Sequence, residues 1–329
     1  MKLIKYTFLF IILITIGILY DRYKTKIEKD EQMDEYNLIK KYLLNESSLS
    51  KSKKPLLWIH LDYEINSRSW TSFGSRTNTN LNQPYLYLCL KTIIDKCSKS
   101  FNICLIDDNT FAKIIPGWNI DLSFISKPAL YNLRKLALCK ILYNYGGMLL
   151  PKSFICLKDM LSVHNKCLCD TTMYVGEFVN KTLSSHNKDF LPDIKIMGCE
   201  RESKLMENLI NYLEEIYGTD ITENITMKGK MNNWLEENVK NDNIVLLPGE
   251  FIGTKTPDYK PVILDDLFLD SENIFHKQIV GLYVPAHEIL ERNKFNWYSR
   301  LSLEQVLEAK LLISKFLLVC NDNNLVFYS

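Results

Sequence analysis

Two adjacent aspartates, Asp107 and Asp108, close the apolar run FNICLIDD. Carboxylates at the carboxyl end of a buried strand stand where open α/β sheets bind ligands, and there they could touch a ribose or a cation; IDDN is also ordinary turn chemistry. In the earlier run LLWIHLDY, His60 and Asp62 alternate onto one face of a strand. They could contact a ligand or simply face a polar layer of the sheet. His164, Cys167 and Cys169 have metal-ligand character, but no second half-site follows at zinc spacing, so no zinc site is expected. The nine cysteines are an odd number without a CxxC pair, which reads as buried thiols rather than a disulfide framework.

The elements that must position these groups follow from hydrophobic patterning. Short apolar runs at 56–63, 101–108, 148–159, 171–178, 193–199, 243–251 and 277–285 read as buried strands. The run at 148–159 is one short strand interrupted by Pro151. Helical spacing predicts helices over 82–97, 128–147, 200–218, 231–239 and 303–319. The second of these has Pro128 near its start and Gly146-Gly147 as its stop, and the last is amphipathic through Glu304, Glu308, Lys310 and Lys315. Strand, helix and strand over 56–108 form a β-α-β unit, which argues for an α/β domain.

Before that domain, YTFLFIILITIGILY (6–20) is an apolar segment flanked by charges, with no small-x-small cleavage site after it. It is expected to be a retained single-pass membrane anchor (1–20) rather than a cleaved signal, followed by a polar stem (21–54) ending at Pro55. Lys and Arg counts place the large domain in the cytosol, whereas the sequons at Asn45, Asn180 and Asn224 would suit a lumenal one; the side stays open. Forty basic against thirty-nine acidic residues leave a charge of +1, so no field draws the protein to nucleic acid. At 47% hydrophobic, the 329-residue chain has ample material for a buried core.

The run LRKLALCKILYNYGGMLLPKSFICLKD (133–159) resembles the signature of the DXD-containing glycosyltransferases of the α-mannosyltransferase and capsular-polysaccharide-synthesis type. The correspondence lies at Arg134, Leu142, Tyr143, Tyr145, Gly146, Gly147, Leu157 and Lys158. It extends more weakly to PLLWIH (55–60) and to IKIMGCERESKLMENLI. The chain as a whole, including WIHLDYE and FNWYSRLS, also looks like membrane proteins of large DNA viruses that belong to this group.

That resemblance implies a GT-A fold, a Rossmann-type sandwich with a mostly parallel central sheet, over 55–270, with a C-terminal strand and helical extension over 271–329. It implies a nucleotide-sugar donor, a glycan or protein acceptor, and Mn or Mg held by the two aspartates of D-x-D. Here the aligned triplet is Pro151-Lys152-Ser153, so those ligands are missing, and Tyr131 replaces the acid of D-x-x-R. The candidate nucleotide-sugar-binding residues are Arg134, Tyr145, Gly146, Gly147, Lys152, Ser153, Asp107, Asp108 and His60. No metal ligand is assigned. His287 and Glu288 are similar to a histidine that some of these enzymes place near the diphosphate. Trp70, in the polar loop 66–81, belongs to an acceptor-binding lid or to a plain connector.

Three readings follow: a degenerate fold that binds without turnover, metal-free transfer supported by Lys152 and Arg134, or a cation recruited by Asp107 and Asp108. The competing class is a non-catalytic binding or structural protein of a host or virion membrane.

Overall fold

Leu57, Trp58 and Ile59 are almost wholly buried because the strand they form, β1 (Leu56–His60), lies between two parallel neighbours, β2 (Asn102–Ile106) and β3 (Gly147–Pro151). A strand covered on both faces has no polar side to show, which is why its sequence reads as a continuous apolar run. The crossover between β1 and β2 contains helix α1 (Pro84–Cys97), whose proline sits in the first turn, where its missing N–H costs nothing. The expected β-α-β unit is therefore present.

The computed structural model describes residues 54–62, 83–125, 127–181, 188–219, 224–270 and 275–321. These fall in one compact unit, Leu49–Ser329; the other, Met1–Ser48, contains none of them. The expected membrane anchor (1–20), the stem up to residue 53 and the Trp70 loop lie outside the described residues. Among those residues, no helix is long and apolar enough to cross a membrane.

Among the described residues, the central sheet has six strands in the order β2-β1-β3-β6-β5-β7, completed by β5 (Met173–Val179), β6 (Phe190–Cys199) and β7 (Val245–Leu247). The pairings β1 with β2, β1 with β3 and β5 with β7 are parallel, while β6 runs antiparallel between β3 and β5. The architecture is α/β with a mostly parallel sheet. Helices α2 (Asp108–Ile114) and α4 (Leu161–Cys167) flank α3 (Lys127–Tyr145) in sequence, and on one face of the sheet α3 and α5 (Lys204–Thr219) bury Leu142, Leu209 and Leu213 against Leu149 and Met197.

The run 243–251, expected as one strand, is a strand only over Val245–Leu247 and turns into a short helix at Gly249–Ile252. Two further runs split in two. The run 148–159 forms two strands, because Pro151 ends β3 and the turn at Lys152-Ser153 sends β4 (Phe154–Cys156) into a separate two-stranded sheet with β8 (Gly281–Tyr283). Proline lacks the N–H that a ladder needs, and the pairing of β3 with β1 ends at Pro151. The run 303–319 forms two helices, Leu303–Glu308 and Leu312–Asn321, because Ala309 is extended and the Leu312 N–H donates to the carbonyl of Leu269. The break turns Val306 and the pair Ile313 and Leu317 into one core with Tyr85 and Leu86 of α1.

Candidate functional site

Parallel register sets the site. His60 pairs with Ile106 on one side and with Pro151 on the other, so β1, β2 and β3 finish at one level. Whatever follows them in sequence collects there: Asp62, Asp107 with Asp108, and Lys152 with Ser153. Arg134 reaches the same place from the adjoining helix α3. A cavity of about 570 Å³ opens over these carboxyl ends, within the size range of small-molecule sites.

Its near wall is a network of ion pairs. The Arg134 guanidinium donates to both Asp108 oxygens, from Nε at 2.9 Å and from Nη2 at 2.6 Å. His60 Nε2 lies 2.9 Å from Asp108 Oδ1, and its ring stacks on Phe111. Burial alone would raise the Asp108 pKa, but the hydrogen bonds from His60 and Arg134 outweigh it and hold the carboxyl at about 2. Lys152 forms an ion pair with Asp62 and donates to the Asp62 carbonyl at 3.1 Å; Arg134 Nη1 lies 4.0 Å from the same carboxylate. Tyr131 lines the cavity one turn before Arg134.

The remaining candidates have other surroundings. Asp107 caps the short helix Asp108–Ile114, accepting from the Thr110 N–H and hydroxyl at 2.9 and 2.5 Å, and is not part of the cavity lining. Asp108 itself, Tyr145, Gly146 and Gly147 also lie outside the lining, although Asp108 pairs with two residues of it, His60 and Arg134. The Tyr145 hydroxyl donates to the Ile114 carbonyl, and Trp58 Nε1 donates to the Gly146 carbonyl at 3.0 Å. Ser153 lines the cavity, yet its buried hydroxyl donates to the Val284 carbonyl at 2.6 Å. Trp58, Trp118, Trp234 and Trp297 are absent from the lining, and the first two are buried. His164 is bonded to Tyr174, and burial lowers its pKa to about 4.

Sequence reading reached the far wall only at His287 and missed the rest of it. Asp193 and Lys195, on one face of β6, form a 2.6 Å ion pair there, with the Lys195 ammonium 4.6 Å from the Phe178 ring centre. The signal was present in PDIKIM, where two opposite charges two residues apart interrupt an apolar strand. Tyr283, His287 and Glu291 come from the C-terminal segment, held at the site by the pairing of β8 with β4 and by the Ser153-to-Val284 hydrogen bond. Burial pushes the Tyr283 hydroxyl up to about 12.

A divalent metal at the Pro151-Lys152-Ser153 position does not fit this donor set. Proline has no side-chain donor, the lysine offers an ammonium already paired with Asp62, and the serine hydroxyl is committed to Val284. Asp62 and Asp108 are matched by Lys152, Arg134 and His60, and Asp107 serves its helix, so recruitment of a cation by Asp107 and Asp108 has no geometric support. Among the described residues, no three His, Cys, Asp or Glu side chains converge as a metal site.

No protein-family model matches the chain, and no curated protein is similar to it in sequence. Among solved structures, it is similar to a glycosyltransferase involved in the glycosylation of the major capsid of PBCV-1, at 7% identity over 70% of this chain and 94% of that one, with a TM-score of 0.38. The galactosyltransferase LgtC, in complex with donor and acceptor sugar analogs, is similar at 10% identity over 78% and 100%, with a TM-score of 0.37. Mouse xyloside xylosyltransferase 1 is similar at 7% identity over 71% and 98%, with a TM-score of 0.38. At such identities and scores these likenesses assign no function to the chain.

Proposed function

We propose that this chain is a membrane-tethered glycosyltransferase-like protein that takes a nucleotide sugar in the cavity at the strand ends, without a divalent metal, for transfer to a glycan or protein acceptor. The sequence signature around Tyr143 to Gly147 supports the class. The observation that carries the site is the convergence of Lys152 and Arg134 on one cavity of nucleotide-sugar scale at the carboxyl ends of parallel strands.

In this reading Lys152, at the position of the family's metal motif, offsets the charge of a departing diphosphate, with Arg134 behind it. Both cations face Asp62 in the free protein, so a diphosphate must compete with that carboxylate for Lys152. An anion carrying more than one charge, able to engage both cations, can win that exchange. The apolar segment 6–20 tethers the domain to a host or virion membrane.

A second reading, binding without turnover, is favoured by one specific observation. Asp62, which lines the cavity, and Asp108, which pairs with Arg134 from outside the lining, are both engaged in ion pairs, so neither is an uncommitted base. Calorimetric titration of the full chain with a panel of nucleotide sugars, alongside a hydrolysis assay, each with and without Mn²⁺, separates the cases. Binding that is indifferent to Mn²⁺ and weakened about tenfold or more by Lys152→Ala supports the site. Metal-free turnover then selects transfer, and its absence selects binding alone. Turnover that requires Mn²⁺ refutes the metal-free site, and no binding to any donor refutes both readings.

A further inference from the structure

Eight of the nine cysteines are buried, and burial raises the pKa of most of them, as expected of inert core thiols. Cys97 and Cys156 are different. Their sulfurs are 3.7 Å apart, although 59 positions separate them in sequence. Cys97 ends α1 and Cys156 ends β4, two elements clamped together at this point because Thr92 Oγ1 of the helix accepts from the Cys156 N–H at 2.8 Å. Ser100 and Asp159 tie the following segments together with a 2.6 Å hydrogen bond.

We propose that Cys97 and Cys156 are a disulfide-forming site that, when oxidised, locks α1 to the strand leaving the Lys152-Ser153 turn. The inference is independent of the proposed nucleotide-sugar activity. Closing the pair to a bond of about 2.05 Å needs less than 2 Å of sulfur movement between backbones already held in contact. The oxidant is a small-molecule disulfide such as oxidised glutathione. The Cys97 thiolate attacks one of its sulfurs and expels a thiolate, leaving a mixed disulfide on Cys97. The Cys156 thiolate then attacks the Cys97 sulfur and expels the second. The two protons lost by the cysteines end on the two thiols released, so one disulfide is consumed and one is formed.

The order of attack follows from the surroundings. Cys97 is the last residue of α1, next to the exposed Ser98 and Lys99, whereas the Cys156 thiol donates to the Lys158 carbonyl at 3.0 Å. Both side chains are fully buried, but the shell over them is thin, since Lys96, Ser98, Lys99, Lys158 and Asp159 are exposed. An oxidant therefore reaches Cys97 by fraying of the helix end, or meets the pair before burial is complete during folding.

The test is to equilibrate the full chain, folded and separately during refolding, with a reduced and oxidised glutathione buffer, then quench with acid and map non-reduced peptides by mass spectrometry. The expected result is a single linked peptide pair joining Cys97 to Cys156, two fewer titratable thiols, and a thermal midpoint roughly 5–10 °C above that of the reduced protein. Cys97→Ser and Cys156→Ser each abolish both the linked pair and the shift. Thiols that stay reduced in both regimes overturn the proposal, as does a different linkage, such as Cys89 with Cys320. Because the peptide map is read on the unsubstituted protein, poor folding of either variant does not obscure the outcome.

Discussion

At Asp108, burial and pairing act in opposite directions. Desolvation favours the neutral acid, while two charge-assisted bonds from Arg134 and one from His60 favour the carboxylate; pairing wins, and the carboxyl is held at about 2 instead of the ordinary 3.8. A depressed folded-state value stabilises the protein above the unfolded value, and that contribution disappears as pH falls from about 4 toward 2. The shift corresponds to roughly 2 kcal/mol. Asp108→Asn should therefore lower the thermal midpoint by roughly 4–8 °C at pH 7, and the gap to the unsubstituted protein should close across that acid window. A gap that persists unchanged at about pH 2.5 would show that packing, not charge, is what Asn fails to replace. The position of Asp108 at a strand end was legible in sequence. Its partners were not, because Arg134 lies 26 positions away and reaches it only across a folded interface.

The link between α3 and β3 shows how much an element can depend on one atom. Gly146-Gly147 is recognisable in sequence as a helix stop, and both residues take positive φ, +68° and +100°. What sequence could not disclose is why the second must be glycine. A Cβ there would stand 2.2 Å from the Leu56 carbonyl oxygen, in the strand next to β3. Gly147→Ala should cost about 3 kcal/mol or more, seen as loss of soluble protein or a sharply lowered urea midpoint. At Gly218, near the end of α5, an added Cβ would meet nothing within 4 Å, so Gly218→Ala should raise stability by about 0.5–1 kcal/mol in the same titration. Equal effects at the two positions would sink the backbone-contact explanation. The two split runs share this origin. Pro151 and the Leu312-to-Leu269 bond act where apolar periodicity continues smoothly through a chain that must turn.

Over the whole molecule, the C-terminal segment is part of the structure that holds the site. Strand β8 pairs with β4, and Val306, Leu312, Ile313, Phe316 and Leu317 share a core with Tyr85 and Leu86 of α1. Removing residues 301–329 would expose this face and forfeit on the order of 10 kcal/mol of apolar burial, comparable to the whole stability of a typical domain. The truncated chain should aggregate or show no cooperative melt by circular dichroism. A sharp melt near that of the full chain would show that the segment is dispensable.

Composition and local pattern were enough to determine an α/β domain, its first β-α-β unit, the helix that ends at a glycine pair, and the absence of paired acids at Pro151-Lys152-Ser153. Backbone constraints and hydrophobic periodicity operate over a few residues, so a linear reading captures them. The tertiary structure alone decided that Lys152 reaches back 90 positions to Asp62, that Asp193 and Lys195 form the opposite wall, and that Cys97 meets Cys156. Hydrogen bonds and ion pairs act over about 4 Å of space regardless of chain separation, and only the packed sheet brings such distant residues within that range.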